Sequence, residues 1–305
     1  MRALLLTTSN LLLIGLLALF LWPSPQGQGP WALALLVLAA KGAQLAFRAA
    51  ARDPRRRCAT DDVLAVFYAI LGLWHLCTAR WGVLGKLLFP APQVVLQMFL
   101  QELPDMAAGL GHSLFLLVSG FGLALLTAVP LGILIGTHAR VRGVAEPYMR
   151  VLGPIPPIVY IPYAISLLPT FRAASIFVIF LGGFWPILGN TIHGVRAIPR
   201  TLRDSASVLG LRGPTLYLRV ILPGALPSIC NGANLALLFS FLMLAAAELI
   251  GSSVGIGWWV KHFSDFSDYP RVIAGLFFFG LVVTGVTWGT ARLERRLLVW
   301  TETTR

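Results

Sequence analysis

The chain has 305 residues, 57% of them hydrophobic and only 12% charged, and its mean hydropathy is +0.80. That is more apolar surface than a soluble globular domain needs, so the composition describes an integral membrane protein and excludes a soluble enzyme or binding module. A formal net charge of +12 would suit a nucleic-acid binder, but the Lys and Arg residues follow the ends of apolar runs instead of forming one patch, so no nucleic-acid partner is expected.

A spanning helix needs about 20 mainly apolar residues. Eight windows qualify, at 3–22, 30–49, 62–79, 112–137, 154–169, 174–193, 229–250 and 271–291, which predicts an all-α membrane protein of eight spans. The first follows Arg2 and runs into "WPSPQGQGP", which offers no small-residue cleavage site, so it reads as an uncleaved signal-anchor helix. The charged stretch "RAAARDPRRRCATDD", residues 48–62, reads as a linker that sets a two-helix extension, residues 1–57, apart from a six-span core, residues 58–305. In "FPAPQVVLQMFLQELPDM", Gln93, Gln97, Gln101 and Asp105 recur at four-residue spacing beside Val94, Val95, Met98 and Phe99, which predicts a short helix lying on the outer membrane surface. Pro154, Pro156, Pro157, Pro162 and Pro169 interrupt the fifth window. A spanning helix tolerates such prolines only where neighbours or water take up the freed carbonyls, so this segment is expected inside the bundle.

The sixth and seventh spans are joined by a long basic segment, residues 196–228. Pro199 suits a first helical turn, Arg200 to Leu209 continue it, and Gly210 ends it. Gly213 and Pro214 then start a second short helix, "PTLYLRVIL", that stops before "PGALP". Two short helices about a glycine elbow make a rigid knuckle, suited to transmitting force from a soluble partner. With a cytoplasmic N-terminus, 18 of the 24 Lys and Arg residues fall inside and Arg80, Lys86, Arg172, Lys261 and Arg271 fall outside, with Lys41 in a span. The positive-inside rule therefore places both termini and the knuckle in the cytoplasm.

Few polar residues lie in the windows. Glu248, near the end of the seventh, is costly there unless it faces water or a partner. It sits either on a translocation path or its outer gate, or in hydrogen bonds to backbone amides of the loop "GSSVGIG" that follows; the second reading is the stronger. Asn190 and Asn234 are candidates for the same path, or for links between helices. Cys58, Cys77 and Cys230 suggest no disulfide framework, and His75, His112, His138, His193 and His262 lack metal-ligand spacing, so no metal site is expected.

The knuckle resembles the cytoplasmic signature of the permease subunits of ATP-binding cassette importers, E-A-A, three residues, Gly, nine residues, I-x-L-P. Here it stands as Asp204, Ser205 and Ala206, then Gly210, Val220 and Leu222-Pro223, with Asp for Glu and Ser for Ala at its first two positions. "LFPAPQVVLQMF", "GPIPPIVYIPYAI", "GGFWPILGNTIHGVRAIP" and "AAAELIGSSVGIGWWV" are similar, in the same order, to stretches of the nitrate, sulfonate and taurine branch of that family. The resemblance covers about residues 62–305 and leaves the first two spans outside.

It implies a type I importer of the inner (plasma) membrane. Two permease subunits, a homodimer or a pair of sister chains, would form the path, two cytoplasmic ATPases would sit beneath them, and an extracytoplasmic solute-binding protein would deliver a small anion or organic solute such as nitrate, a sulfonate, taurine or bicarbonate. Asp204, Ser205, Ala206, Gly210, Leu211, Val220, Leu222 and Pro223 would couple to the ATPase. The chain has no G-x-x-x-x-G-K-[ST] motif, so ATP and Mg belong to the partner and no cofactor is expected here. Two other classes compete. An intramembrane enzyme would need facing Ser and His or paired Asp residues, and no such constellation stands out. A passive channel or secondary transporter would leave the knuckle without a purpose.

The topology is open to direct measurement. Cysteines placed at Arg56 or Arg212 should resist a membrane-impermeant thiol reagent in intact cells and react after permeabilisation; labelling from outside would overturn the assignment.

Overall fold

The computed structural model describes residues 8–21, 31–50, 54–81, 85 and 87–298, and every regular element among them is helical. In chain order these are α1 (Thr8–Leu21), α2 (Trp31–Ala50), α3 (Pro54–His75, extended by a π-helical turn Leu76–Arg80), α4 (Pro92–Thr137), α5 (Ala139–Leu152), a 3₁₀ turn (Pro157–Tyr160), α6 (Ile161–Leu167), α7 (Phe171–Ala197), α8 (Arg200–Val208), a helical turn Pro214–Leu216 with a π-helical turn Tyr217–Ile221, α9 (Leu222–Gly251), α10 (Ile256–Asp265) and α11 (Tyr269–Leu297). Five helical stretches are long and apolar enough to cross a membrane: Thr60–Ala79, Pro92–Thr137, Phe171–Ala197, Pro214–Gly251 and Tyr269–Leu297. Three shorter apolar stretches, Ser9–Ala18, Leu33–Ala46 and Pro157–Leu167, fall where the remaining expected windows lie.

The chain divides into two compact units, residues 1–104 with 262–276, and residues 105–261 with 277–305. In the first, α1, α2 and α3 pack around Leu16, Phe20, Leu33, Val37, Tyr68 and Leu71. Several polar side chains inside this bundle are paired, which lowers their cost in hydrocarbon. The Tyr68 hydroxyl donates to the Val37 carbonyl at 3.3 Å, Lys41 Nζ donates to Ser9 Oγ at 3.4 Å, and Gln44 Nε2 donates to Asp61. The start of α4 joins the same unit, with His75 Nδ1 3.2 Å from Gln93 Oε1. At the start of α11, Arg271 bridges Glu102 at 2.7 Å and Asp268 at 2.5 Å.

The second unit is organised by α7, which glycines bring close to two neighbours. A Cβ on Gly120, Gly132 or Gly136 of α4 would lie 2.6–2.8 Å from Cβ or branch atoms of Ile179, Thr191 and Val195 respectively, a constant offset in sequence that makes α4 and α7 run parallel. On the other side, Gly182 meets Met243, Gly194 meets Ser228 and Gly232 meets Asn190, so α7 and α9 are antiparallel. Small residues at such contacts let backbones approach, which is how helices gain packing energy where lipid removes the hydrophobic drive. The apolar core follows this sandwich: Leu116, Leu117, Val178, Ile179, Leu237, Phe241 and Leu244 at one level, and Ala124, Ala128, Ile187, Leu188 and Ala236 at another.

Two expectations are corrected. Within residues 48–62, α2 runs to Ala50 and α3 starts at Pro54, a residue that needs no amide donor in a first turn. The stretch between them, like residues 1–7 and the "WPSPQGQGP" segment, lies outside the described residues. The surface helix at 93–105 is not separate: it is the first part of the 46-residue α4, since Pro104 removes one amide without stopping the helix. Gln97, Gln101 and Asp105 remain on its exposed side, while Gln93 is buried. The proline-rich window is not enclosed within this chain either. Ile161 and Ala164 are buried, but Val159, Tyr163 and Leu167 are 63–66% exposed. Pro157 and Pro162 stand at helix starts, where no amide is required, so burial is not needed to rescue their carbonyls.

The glycine contacts make a sharp stability test. Gly132→Val would drive its side chain into Thr191 and should cost at least about 1–3 kcal/mol by overpacking, seen as a lower Tm of the full chain in detergent, whereas Gly122→Ala, with open space at its Cβ, should leave Tm unchanged.

Candidate functional site

The knuckle is rooted on the α7–α9 pair. Beyond Ala197, Ile198 and Pro199 are extended (ψ 125° and 139°) and turn the chain into α8. Ile198 packs with Val195, Ile221, Ala225 and Ile229, and Leu216, Tyr217 and Leu222 lean on the same cluster. The Arg203 guanidinium donates to the carbonyl of Val195, closing the otherwise open end of α7.

The end of α8 is a complete left-handed cap. Gly210, at φ +72°, donates to the Ser207 carbonyl at 3.0 Å, and Leu211 donates across it to the Ala206 carbonyl at 3.0 Å. These two bonds define the Schellman arrangement, which requires a residue at positive φ. Gly213 follows at φ +56°, ψ −137°, a conformation open essentially to glycine, and Pro214 then begins the next turn. No neighbouring atom lies within 4 Å of a Cβ placed at either glycine, so these positions are demanded by backbone conformation alone.

Of the residues expected to couple, Ala206 is buried, Asp204, Ser205 and Gly210 are exposed, and Leu211, Val220, Leu222 and Pro223 are half-buried on the way into α9. Sequence reasoning overlooked the apolar side chains among them. Leu202 is 54%, Val208 88%, Leu209 77% and Leu218 65% exposed. A signal was present: the leucines and valine of an otherwise polar helix outnumber what Ala206 buries. Apolar side chains held in water on a rigid cap are the mark of a docking surface.

At the opposite end of α9, Glu248 is 1% exposed. Its Oε1 accepts the Ser113 hydroxyl at 2.6 Å and its Oε2 accepts the Gly257 amide at 2.7 Å, while Ser113 Oγ accepts the Ile256 amide at 3.0 Å. Glu248 and Ser113 thus satisfy two free amides in the first turn of α10 and tie α4, α9 and α10 together; a carboxylate is favoured at the positive end of that helix. Gly255, at φ +126°, lets the loop pass so close that a Cβ there would lie 2.3 Å from Oε1. His112 Nδ1 stands 4.0 Å from the same oxygen. Ser113 was not foreseen, because its partner is 135 residues away and nothing local marks it.

Asn190 and Asn234 are not brought to Glu248 by any recorded bond. Asn190 Nδ2 donates to the Pro186 carbonyl at 2.9 Å within α7, and Asn234 Nδ2 donates to Glu294 at 2.9 Å, linking α9 to α11. Among the described residues no group of three His, Cys, Asp or Glu side chains could hold a metal ion.

Residues 128–299, more than half the chain and spanning both knuckle and Glu248, match the family described as binding-protein-dependent transport system inner membrane component. The chain belongs to this family of importer permeases. The taurine transport system permease protein TauC of Escherichia coli (strain K12) is 30% identical over 256 residues, 82% of this chain and 92% of TauC. The nitrate import permease protein NrtB of Leptolyngbya laminosa is 30% identical over 227 residues, 71% of this chain and 80% of NrtB. These relatives place the permease in the nitrate, sulfonate and taurine branch. A solved structure described as inward-facing conformations of the MetNI methionine ABC transporter shares its fold, with a TM-score of 0.54 and 18% identity over 61% of this chain and 92% of that one. The permease is a multi-pass inner-membrane subunit of an ATP-binding cassette importer and not an enzyme; ATP hydrolysis belongs to a separate ATPase subunit.

The Glu248 contacts yield a test of their own. Glu248→Leu would leave the Gly257 amide and the Ser113 hydroxyl buried without an acceptor, at about 1–3 kcal/mol each. Glu248→Gln keeps an acceptor for the amide, so its loss of Tm should be clearly the smaller of the two.

Proposed function

We propose that the knuckle between Pro199 and Pro223 is the surface through which a cytoplasmic ATPase drives this permease. The observation that carries the reading is the exposure of Leu202, Val208 and Leu209 on a helix that Gly210 caps and Ala206 anchors. Asp204, Ser205, Ala206, Gly210, Leu211, Val220, Leu222 and Pro223 form or support that surface. ATP and Mg bind the ATPase and no cofactor binds this chain. Closure of an ATPase dimer draws two knuckles together and switches the path between its inward-facing and outward-facing states.

The full arrangement has eight spans with both termini cytoplasmic, residues 1–57 forming an addition to the permease core at 58–305. The charge split along the chain supports this, as do the three shorter apolar helical stretches. The partners are a second permease, identical or a sister chain, two ATPase subunits and an extracytoplasmic binding protein. The cargo is a small anion or organic solute of the kind named for the relatives, taurine or nitrate, or a related sulfonate or bicarbonate. Glu248 holds the outer end of the permease together, and its two donors favour that role over direct contact with an anionic cargo, which a carboxylate would repel. Asn190 and Asn234 are the remaining candidates for the path.

Gly210→Val tests the reading. A β-branched side chain at φ +72° is strained by about 1–3 kcal/mol, enough to unmake the cap while sparing the spans. Abundance in the membrane should stay normal, and solute uptake and binding-protein-stimulated ATP hydrolysis in proteoliposomes should fall by roughly tenfold or more, as that strain converts to rate. Asp204→Lys should act in the same direction. Full uptake and full stimulation in Gly210→Val would reduce the segment to a basic cytoplasmic loop.

A further inference from the structure

The helix α5 carries a surface that transport by the knuckle does not use. It follows the membrane-crossing α4 after one residue, His138, so its first turn starts where α4 leaves the hydrocarbon on the cytoplasmic side. None of its 14 residues is buried. Val141, Val144, Tyr148, Val151 and Leu152 recur at three- and four-residue steps and share one face, 36–69% exposed. Ala145 and Met149, on an adjoining face, lean on the cluster of Ala124, Ala128, Ile135 and Ile187, and the Glu146 carboxylate lies 3.9 Å from Arg196 at the end of α7. The helix is therefore fixed to the core by one side, and its apolar stripe is held outward.

The charges around that stripe are unbalanced. Glu146 is the one acidic residue of the helix, and it lies 3.9 Å from Arg142, 4.0 Å from Arg150 and 3.9 Å from Arg196. Three guanidinium groups thus share a single carboxylate, Arg140 lies at the edge of the stripe, and Arg150 is 81% exposed. A second copy of this chain would bring the same excess of arginines against its own, which disfavours a self-complementary contact. An apolar stripe with Arg140 at its edge and the exposed Arg150 on the polar side of the same helix, lying where a span ends, matches the boundary between acyl chains and anionic headgroups.

We infer that α5 lies in the cytoplasmic interface of the bilayer and selects anionic phospholipid, its valines and Tyr148 entering the acyl boundary and Arg140 and Arg150 holding headgroup phosphates. The site rests on the topology proposed above but not on the knuckle's role, so a failure of ATPase coupling leaves it standing.

The test uses the full chain with Cys58, Cys77 and Cys230 replaced by Ser and Tyr148→Cys carrying a nitrobenzoxadiazole label, in phosphatidylcholine vesicles with and without phosphatidylglycerol. Phosphatidylglycerol bearing a spin label near its headgroup should quench the dye at least about fivefold more effectively than the matching phosphatidylcholine, the factor expected if even one of the two arginines holds a headgroup at a charged surface. Arg140→Gln with Arg150→Gln should bring the ratio close to one, and Arg140→Lys with Arg150→Lys should restore it. Equal quenching by both lipids in the parent overturns the inference. So does a dye reached by aqueous iodide and by neither lipid, one shielded only when the ATPase is added, or a Val144→Cys variant that cross-links to a second copy.

Discussion

The close approach of α7 to its two neighbours is the constraint on which the second unit depends. Inside a bilayer, apolar side chains gain nothing by leaving lipid for one another, so helices must gain from dense contact instead. Gly120, Gly132 and Gly136 supply it towards α4, and Gly182, Gly194 and Gly232 towards α9. At several of these contacts the partner atom is backbone or the base of a branched side chain, which cannot swing aside. The three helices are thereby held in register along residues 120–136 of α4, 179–195 of α7 and 228–243 of α9.

Both ends of that register carry a specialised connection. At one end, the last turn of α7 and the first turns of α9 enclose Ile198 and Ile221, and the knuckle stands on them. At the other end, Glu248 of α9 and Ser113 of α4 hold the first turn of α10. The two sites never touch, yet each is built on α9. The helix on which the knuckle stands is hydrogen-bonded at its far end, and not merely packed, to the segment that follows it.

Local chemistry was legible in the sequence where it depends on residues close together. The apolar windows at 174–193 and 229–250 lie wholly inside α7 and α9, and Pro199, Gly210, Gly213 and Pro214 mark the knuckle's turns because φ and missing amides are properties of single residues. What was not legible depends on distance or on tolerance. Ser113 meets Glu248 across 135 positions. Pro104 removes one hydrogen bond and crowds the carbonyl one turn back, yet α4 continues through it. The exposed Val208 and Leu209 look like ordinary helix formers until Ala206 is seen to be the buried face.

Positive φ values are telling in this respect. Among the described residues they fall at Gly210, Gly213 and Gly255, with Ser267 as the one side-chain-bearing case. The three glycines flank α9, two before it and one after, and each sits where a fixed turn, not a flexible tether, joins it to the next helix. A long loop at either end would let α9 slide without consequence for its neighbours. Short turns locked by specific hydrogen bonds remove that freedom and hold α9 firmly to the segments that flank it. The demand for glycine at 210 and 255 is thus one of local geometry: one conformation turns the chain at the end of α8, and the other lets the chain pass over a buried carboxylate.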